Sequence, residues 1–246
     1  SVGDRITSLP FIEDKTIGLG AISGAYSEYV KVGYDLVVKL PEGLSNHDGA
    51  LVEPLAVGLH SVKMAGEIRE KSVLIIGAGP IGLTCALWAR FFGAKHVVIS
   101  EMAPARLAMA ETFGFTHFVD PKGDVGAQFA ALTNSTPEIQ FECVGAPGIM
   151  QACIERAPKQ GLIMGIGVCD HPDTIIPLMA FGKELRIQWA VGYDKTDFEF
   201  CIEMMEQGRI DPRPMVTDVI SLEEVPSAFE ALKTPSDQCK VLISLD

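Results

Sequence analysis

Gly77, Gly79 and Gly82 stand at the spacing Gly-x-Gly-x-x-Gly, directly after the apolar run Val73-Leu-Ile-Ile76. That spacing suits phosphate chemistry. Gly77 permits a tight turn, Gly79 lets the backbone approach a pyrophosphate, and Gly82 lets a following helix pack closely on the strand. Residues 83–92 read as that helix, and Pro80 and Ile81 belong to the turn that opens it. A helix N-terminus offers free N–H groups and the positive end of a dipole to an anion. A second strand, 95–100, ends at Glu101, 19 residues after Gly82. A carboxylate there is placed to accept hydrogen bonds from the adenosine ribose hydroxyls. It would also repel a 2′-phosphate, which favours NAD over NADP. Arg106, five residues on, either stacks on the adenine, pairs with a phosphate, or lies on the surface of its helix.

The elements that must position these residues alternate along the chain. Helix 104–112 leads to strand 117–119, helix 125–132 to strand 139–143, helix 149–157 to strand 162–166, and helix 178–183 to strand 185–191. Strands alternating with helices predict an α/β fold: a parallel, doubly wound Rossmann sheet of six strands with right-handed crossovers. Ligands of such sheets bind at the carboxyl ends of the strands. Cys143, Val144 and Gly145 end the fourth strand and should border the adenosine half. Gly165 and Ile166 end the fifth and should lie against the nicotinamide riboside, with Ala190 at the end of the sixth. Cys143 reads as packed against adenine rather than reactive.

The flanks differ. Strands are predicted at 26–30 and 36–40, and Ser45-Asn-His-Asp48 reads as a helix start with Ser45 as N-cap. Two apolar stretches follow, split at Pro54. At the other end come helix 198–207, strand 216–220, helix 223–232 and strand 240–245. The predicted domains are 1–54, 55–191 and 192–246, the first and last joining as one second domain with little obvious core.

Bulk properties exclude several functions. The chain has 246 residues, 48% of them hydrophobic and 21% charged, as expected of a globular protein. A net charge of -12 with no basic run argues against nucleic acid or an anionic membrane surface as partner. No apolar stretch approaches the roughly 20 residues of a membrane span. The opening Ser1-Val-Gly-Asp-Arg5 shows no signal-peptide pattern, and Cys85, Cys143, Cys153, Cys169, Cys201 and Cys239 form no Cys-x-x-Cys pair. They read as reduced, mostly buried thiols of a cytoplasmic protein.

Four further segments carry a resemblance. Val2-Gly-Asp-Arg5, Gly24-Ala-Tyr-Ser-Glu-Tyr-Val30, Gly49-Ala-Leu-Val-Glu53-Pro-Leu-Ala-Val-Gly-Leu-His60 and the stretch from Pro214 to Glu230 join the glycine run. With these the chain resembles the medium-chain dehydrogenase/reductase superfamily, in its zinc-type alcohol and polyol (sorbitol/threonine-like) branch. The resemblance implies a catalytic, mostly-β, GroES-like domain around the Rossmann unit, and hydride transfer between an alcohol or polyol and NAD with zinc as Lewis acid. It also implies that this chain lacks the family's first quarter, which carries a zinc-binding cysteine and the Gly-His-Glu motif. No cysteine lies between Pro10 and Gly24, where the family's structural zinc lobe would sit.

Glu53 stands where the branch supplies an acidic zinc ligand. One carboxylate cannot hold a catalytic zinc, which wants about three protein ligands. Glu53 is therefore a metal residue only together with that upstream segment. Otherwise it is a carboxylate beside Pro54, near a helix start and favourable to the dipole. His60 either packs near the cofactor or is a satisfied boundary histidine, and Pro54 weakens any helical register between it and Glu53. Cys169-Asp-His171-Pro-Asp173 gathers possible ligands too close in sequence for tetrahedral coordination and reads as a solvated loop. The resemblance implies a homodimer or homotetramer paired through the hydrophobic edge strand from Ile187 to Val191. Two other readings stay open: a non-catalytic NAD(H)-binding protein, and a zinc-independent quinone or enone reductase.

Overall fold

The computed structural model describes residues 1–13, 15–20, 22–233 and 237–245. They form two compact units, residues 1–56 with 194–246, and residues 57–193.

The first unit begins with short strands. β1 (Ile6–Ser8) pairs antiparallel with β4 (Val37–Lys39), and between them β2 (Phe11–Ile12) and β3 (Lys15–Thr16) make a minimal hairpin. The strand expected at 26–30 does not form. Tyr26, Tyr29 and Val30 are exposed, and no described strand pairs with the segment. A lone strand has unpaired backbone groups and no face to bury, so β-propensity alone does not hold it. Arg5, read from the sequence only as part of a motif, clamps the turn before the first helix. Its guanidinium donates to the carbonyls of Leu44, Pro41 (3.0 Å) and Glu42 (3.3 Å).

α1 (Asn46–Ala65) starts at the predicted cap. The Asp48 N–H donates to Ser45 Oγ at 3.1 Å, and the Ser45 N–H donates to Asp48 Oδ2 at 2.7 Å. The predicted break at Pro54 is absent, and the helix runs straight through it. A helix-interior proline costs about 3 kcal/mol, because the carbonyl four residues back loses its donor. Here that residue is Ala50, which is exposed, so water can serve it. Leu51, Val52, Leu55, Ala56 and Leu59 are fully buried around the proline. Each buried Val or Leu contributes about 1.5–3 kcal/mol, so burial outweighs the lost bond.

The second unit is the doubly wound sheet. Its strands are β5 (Ser72–Ile76), β6 (His96–Ser100), β7 (Phe118–Val119), β8 (Ile139–Glu142), β9 (Leu162–Gly165) and β10 (Arg186–Trp189). The helices between them are α2 (Pro80–Phe91), α3 (Pro104–Thr112), α4 (Val125–Thr133), α5 (Ile149–Arg156) and α6 (Pro177–Gly182). The spatial order is β10-β9-β8-β5-β6-β7, and every pairing is parallel. The order reverses between β5 and β8, so the crevice between their carboxyl ends is the switch point where such sheets take ligands. Most predicted boundaries move by a residue or two, and two move for evident reasons or by more. α2 starts at Pro80 rather than residue 83, since proline suits a first helical position. β10 stops at Trp189 rather than 191.

On one face Leu74, Ile76, Val98 and Ile163 bury against Val125 and Phe129 of α4 and Cys153 and Ile154 of α5. On the other, α2 lies over β5 and β6. α1 meets α2 at a contact that only glycine allows. A Cβ on Gly58 would lie 2.5 Å from Thr84 Oγ1 and 2.7 Å from the Thr84 carbonyl carbon.

The chain then returns to the first unit through α7 (Lys195–Glu206), β11 (Val216–Ile220), α8 (Val225–Ala231) and β12 (Lys240–Ile243), with β11 and β12 parallel. Phe198, Cys201, Met204 and Met205 of α7 are buried, as are Leu9, Leu40 and Leu242 of the short-strand region. Among the described residues no helix is long and apolar enough to cross a membrane.

Gly58→Ala should lower stability by about 1–3 kcal/mol, since the backbone of Thr84 cannot move aside without shifting α2. Urea unfolding of the two proteins measures this, and coincident midpoints would show that the helices separate freely.

Candidate functional site: a dinucleotide crevice

The glycine turn is built by three different constraints. Gly77 has φ +93°, and its N–H donates to the Ser100 carbonyl at 2.9 Å, which ties the end of β5 to the end of β6. A Cβ on Gly82 would stand 1.9 Å from the Gly77 carbonyl oxygen, so the helix sits directly on the turn. A Cβ on Gly79 would meet nothing within 4 Å. Gly79 therefore faces open space at the mouth of α2, beside the half-buried Pro80 and Ile81. No side chain caps this helix end. Its donors and dipole are available to an anion.

Glu101 stands beside the turn and is only 8% exposed. Its Oε1 accepts the N–H of Met102 (2.7 Å) and Ala103 (2.9 Å), and its Oε2 accepts the N–H of Ala78 at 3.0 Å. Burial pushes the carboxyl pKa up. The N–H groups of Ala103, Ala78 and Met102, with the Arg106 guanidinium, outweigh it and hold the pKa below the usual carboxylate value. Arg106 Nη1 lies 3.7 Å from Glu101 Oε2, and the side chain is half exposed. The arginine thus stands at the carboxylate. Sequence spacing put Glu101 near the ribose position. It did not reveal that the same carboxylate fixes the glycine turn and the start of α3.

Across the switch point, Gly77 and the fourth-strand turn touch, for a Cβ on Gly77 would lie 2.9 Å from Val144 Cγ2. The Cys143 N–H donates to the Ile76 carbonyl at 3.0 Å. The Cys143 thiol donates to the Phe141 carbonyl at 3.8 Å, and the neighbouring Cys85 thiol together with burial pushes its pKa well above the usual thiol value. It is a protonated packing group. Gly145 has φ +70° and packs backbone to backbone on Gly167 and Val168. Gly165 lies under Trp189, whose Nε1 would be 2.8 Å from an added Cβ. The Ala190 N–H donates to the Gly165 carbonyl at 3.0 Å, and the Ile166 N–H to the Glu142 carbonyl at 2.9 Å.

Glu142 is the residue that sequence reasoning missed. It is 4% exposed, and its Oε1 accepts the N–H of Val144 (2.7 Å) and of Gly145 (2.9 Å). Its backbone carbonyl accepts those of Ile166 and Gly167. One residue thus shapes the ends of the fourth and fifth strands. The available signal was a carboxylate at the end of a buried strand, a place where acids are rarely found without partners.

The family described as zinc-binding dehydrogenase matches residues 80–207, more than half of the chain. The chain belongs to that family. It is 30% identical to sorbitol dehydrogenase of Gallus gallus over 91% of its own length and 63% of that protein's. It is 31% identical to D-xylulose reductase of Saccharomyces cerevisiae, over 93% of this chain and 71% of that protein. Among solved structures, 2R,3R-butanediol dehydrogenase from Bacillus subtilis superposes with a TM-score of 0.90 at 29% identity, covering all of this chain and 75% of that one. These relatives place the chain in the polyol branch of the medium-chain dehydrogenase/reductase superfamily. It spans just under two thirds of sorbitol dehydrogenase.

The resemblance assigns the family's acidic ligand position to Glu53. That residue is half-buried in the middle of α1. The expected helix-start reading fails, because the helix begins at Asn46 and the dipole effect fades after the first turn. Among the described residues, Glu53 joins no group of three His, Cys, Asp or Glu whose ligand atoms lie within 4.8 Å of one another. The described residues therefore do not supply a zinc ligand set around it. His60 lies on the same unbroken helix, half-buried. His47 is exposed in its first turn. Cys169 and His171 are exposed in their loop, as expected.

Two outcomes follow from the turn. Gly79→Ala should fold normally and weaken dinucleotide binding, whereas Gly82→Ala should destabilise the protein itself. Calorimetric titration with NAD alongside thermal melts separates the two, and equal melting losses would contradict the open cradle at Gly79. For Glu101, a depressed folded pKa contributes stability that is present above its unfolded pKa of about 4.3 and is lost as pH falls through the folded value. Glu101→Gln should therefore cost about 1–3 kcal/mol at pH 7. That difference should shrink in urea titrations repeated near pH 3. A constant difference would mean the carboxylate charge is not what the amides hold.

Proposed function

We propose that this chain is the dinucleotide-holding part of an NAD-dependent oxidoreductase that moves hydride between an alcohol or polyol and the nicotinamide. The observation that carries the reading is Glu101, a carboxylate bonded to the Ala78 N–H of the glycine turn and standing where the adenosine ribose would lie. The open approach at Gly79 and the uncapped start of α2 receive the pyrophosphate, with Pro80 and Ile81 forming its floor. Glu101 orients the ribose, with Arg106 beside it as the cation nearest the adenosine. Cys143, Val144 and Gly145 border the adenine side. Gly165, Ile166 and Ala190 offer backbone to the nicotinamide side. NAD, when bound, supplies the hydride acceptor. The acid charge at Glu101 disfavours a 2′-phosphate, so NAD is preferred to NADP.

The substrate is a small alcohol or polyol, by likeness to relatives named for sorbitol, xylulose and butanediol. Zinc belongs to the family, and Glu53 is its acidic ligand only where further residues complete the set. A second reading is a chain that binds NAD(H) without turnover. The domains are read as 1–54, 55–191 and 192–246. Six free cysteines suit the reducing cytoplasm. β10, with Ile187 and the exposed Trp189, is an edge of the sheet, and two copies pair along the stretch from Ile187 to the exposed Val191 that follows it.

NADH production by the protein with zinc, across a panel of alcohols and polyols, tests the dehydrogenase reading. Turnover with NAD above NADP supports it, and tight NADH binding with no turnover establishes the second reading. Val191→Glu should convert the assembled protein to monomers in sedimentation, and an unchanged sedimentation coefficient would remove the edge strand from the interface.

A further inference from the structure

The carboxylate that anchors the glycine turn has little acceptor capacity left for a ligand. A carboxylate offers about four acceptor positions. Glu101 Oε1 already takes two N–H groups, from Met102 at 2.7 Å and from Ala103 at 2.9 Å. Its Oε2 takes a third, from Ala78 at 3.0 Å. One position remains, on Oε2. It can accept one hydroxyl of an adenosine ribose and not both. The three amides also present their positive ends to the carboxylate, and so offset part of the charge that an incoming anion would meet.

Arg106 is in the opposite condition. A guanidinium carries five N–H donors in a planar fork. Among the described residues none of those of Arg106 makes a hydrogen bond, and its one ion pair is the 3.7 Å contact of Nη1 with Glu101 Oε2. The residue lies in the first turn of α3, with its side chain half exposed. Among the described residues it is the one cation paired with Glu101. Together the two side chains carry no net charge. The remaining acceptor position and the unused donors therefore stand side by side, at the place where the ribose would lie.

That pairing changes what the 2′ position of the ribose meets. Glu101 alone would repel a 2′-phosphate, which carries about −1.5 to −2 charges at pH 7. With Arg106 beside it the phosphate meets a neutralised carboxylate and a fork that matches two phosphate oxygens at once. Given the dinucleotide reading of the crevice, we infer that Arg106 sets the choice of dinucleotide: its guanidinium holds the 2′-phosphate of NADP, so the crevice takes NADP as well as NAD, with NAD the tighter. In either case one ribose hydroxyl donates to Glu101 Oε2.

Binding of NADH and of NADPH to the full chain, followed by nicotinamide fluorescence, tests this. We expect both to bind saturably, NADH the tighter by less than about a hundredfold. Arg106→Ala should raise the ratio of the NADPH to the NADH dissociation constant by at least about tenfold, the effect of losing a charge-assisted hydrogen bond. Arg106→Lys keeps the charge and loses the fork, so its ratio should fall between the two. The ratio is the decisive quantity, because a loss of structure or of a contact common to both dinucleotides would weaken them alike. NADPH binding that is undetectable beside saturable NADH binding overturns the proposal and leaves the dinucleotide reading in place. A ratio unchanged in both variants does the same. Saturable binding of neither dinucleotide removes that reading, and the proposal falls with it.

Discussion

Two buried carboxylates hold the carboxyl edge of the sheet together. Glu101 at the end of β6 gathers three backbone N–H groups, from the glycine turn and from the start of α3. Glu142 at the end of β8 gathers two more with its side chain and two with its carbonyl. Charge-assisted bonds of this kind are roughly twice as strong as neutral ones. They lie on either side of β5, so the loops that flank the switch point are pinned to strands rather than left to find their own shape. A binding crevice made of loops gains its definition from such anchors.

Close approach is the second constraint. Gly77, Gly82, Gly145 and Gly167 each stand where a methyl group would collide with a neighbour, in three of the four cases with its backbone. Gly79 alone of the motif's glycines stands clear. Glycine therefore does two opposite jobs within six residues. At positions 77 and 82 it removes bulk so that the protein can pack on itself, and at 79 it leaves space for something else.

The first unit is organised by helices more than by its strands. Its strands are two to five residues long and pair only two at a time. Buried residues of α1 and α7 accompany them, and Arg5 ties the turn at 41–44. This explains why local signals served poorly there. Tyr26 to Val30 carries the aromatic and β-branched residues of a strand, yet without a neighbouring strand it forms none. Pro54 carries the local signal of a break, yet the packing around it keeps the helix whole.

The glycine fingerprint, the helix cap at Ser45 and the alternation of strand and helix from 72 to 189 were legible in the amino-acid order. Each depends on residues close in sequence: a turn needing positive φ, a hydroxyl three residues from a carboxylate, apolar runs between breakers. The family could be named from segments of the same kind, such as the run through Glu53 and His60. What lay beyond the sequence were the contacts of distant residues. These include the hold of Glu101 on Ala78, the role of Glu142 in two loops and the touch of Gly58 on Thr84. Local order sets which elements can form, because dihedral preference and periodicity act within a few residues. Which buried carboxylate finds which amide is decided only when strands far apart in the chain lie side by side, and that is a property of the tertiary structure.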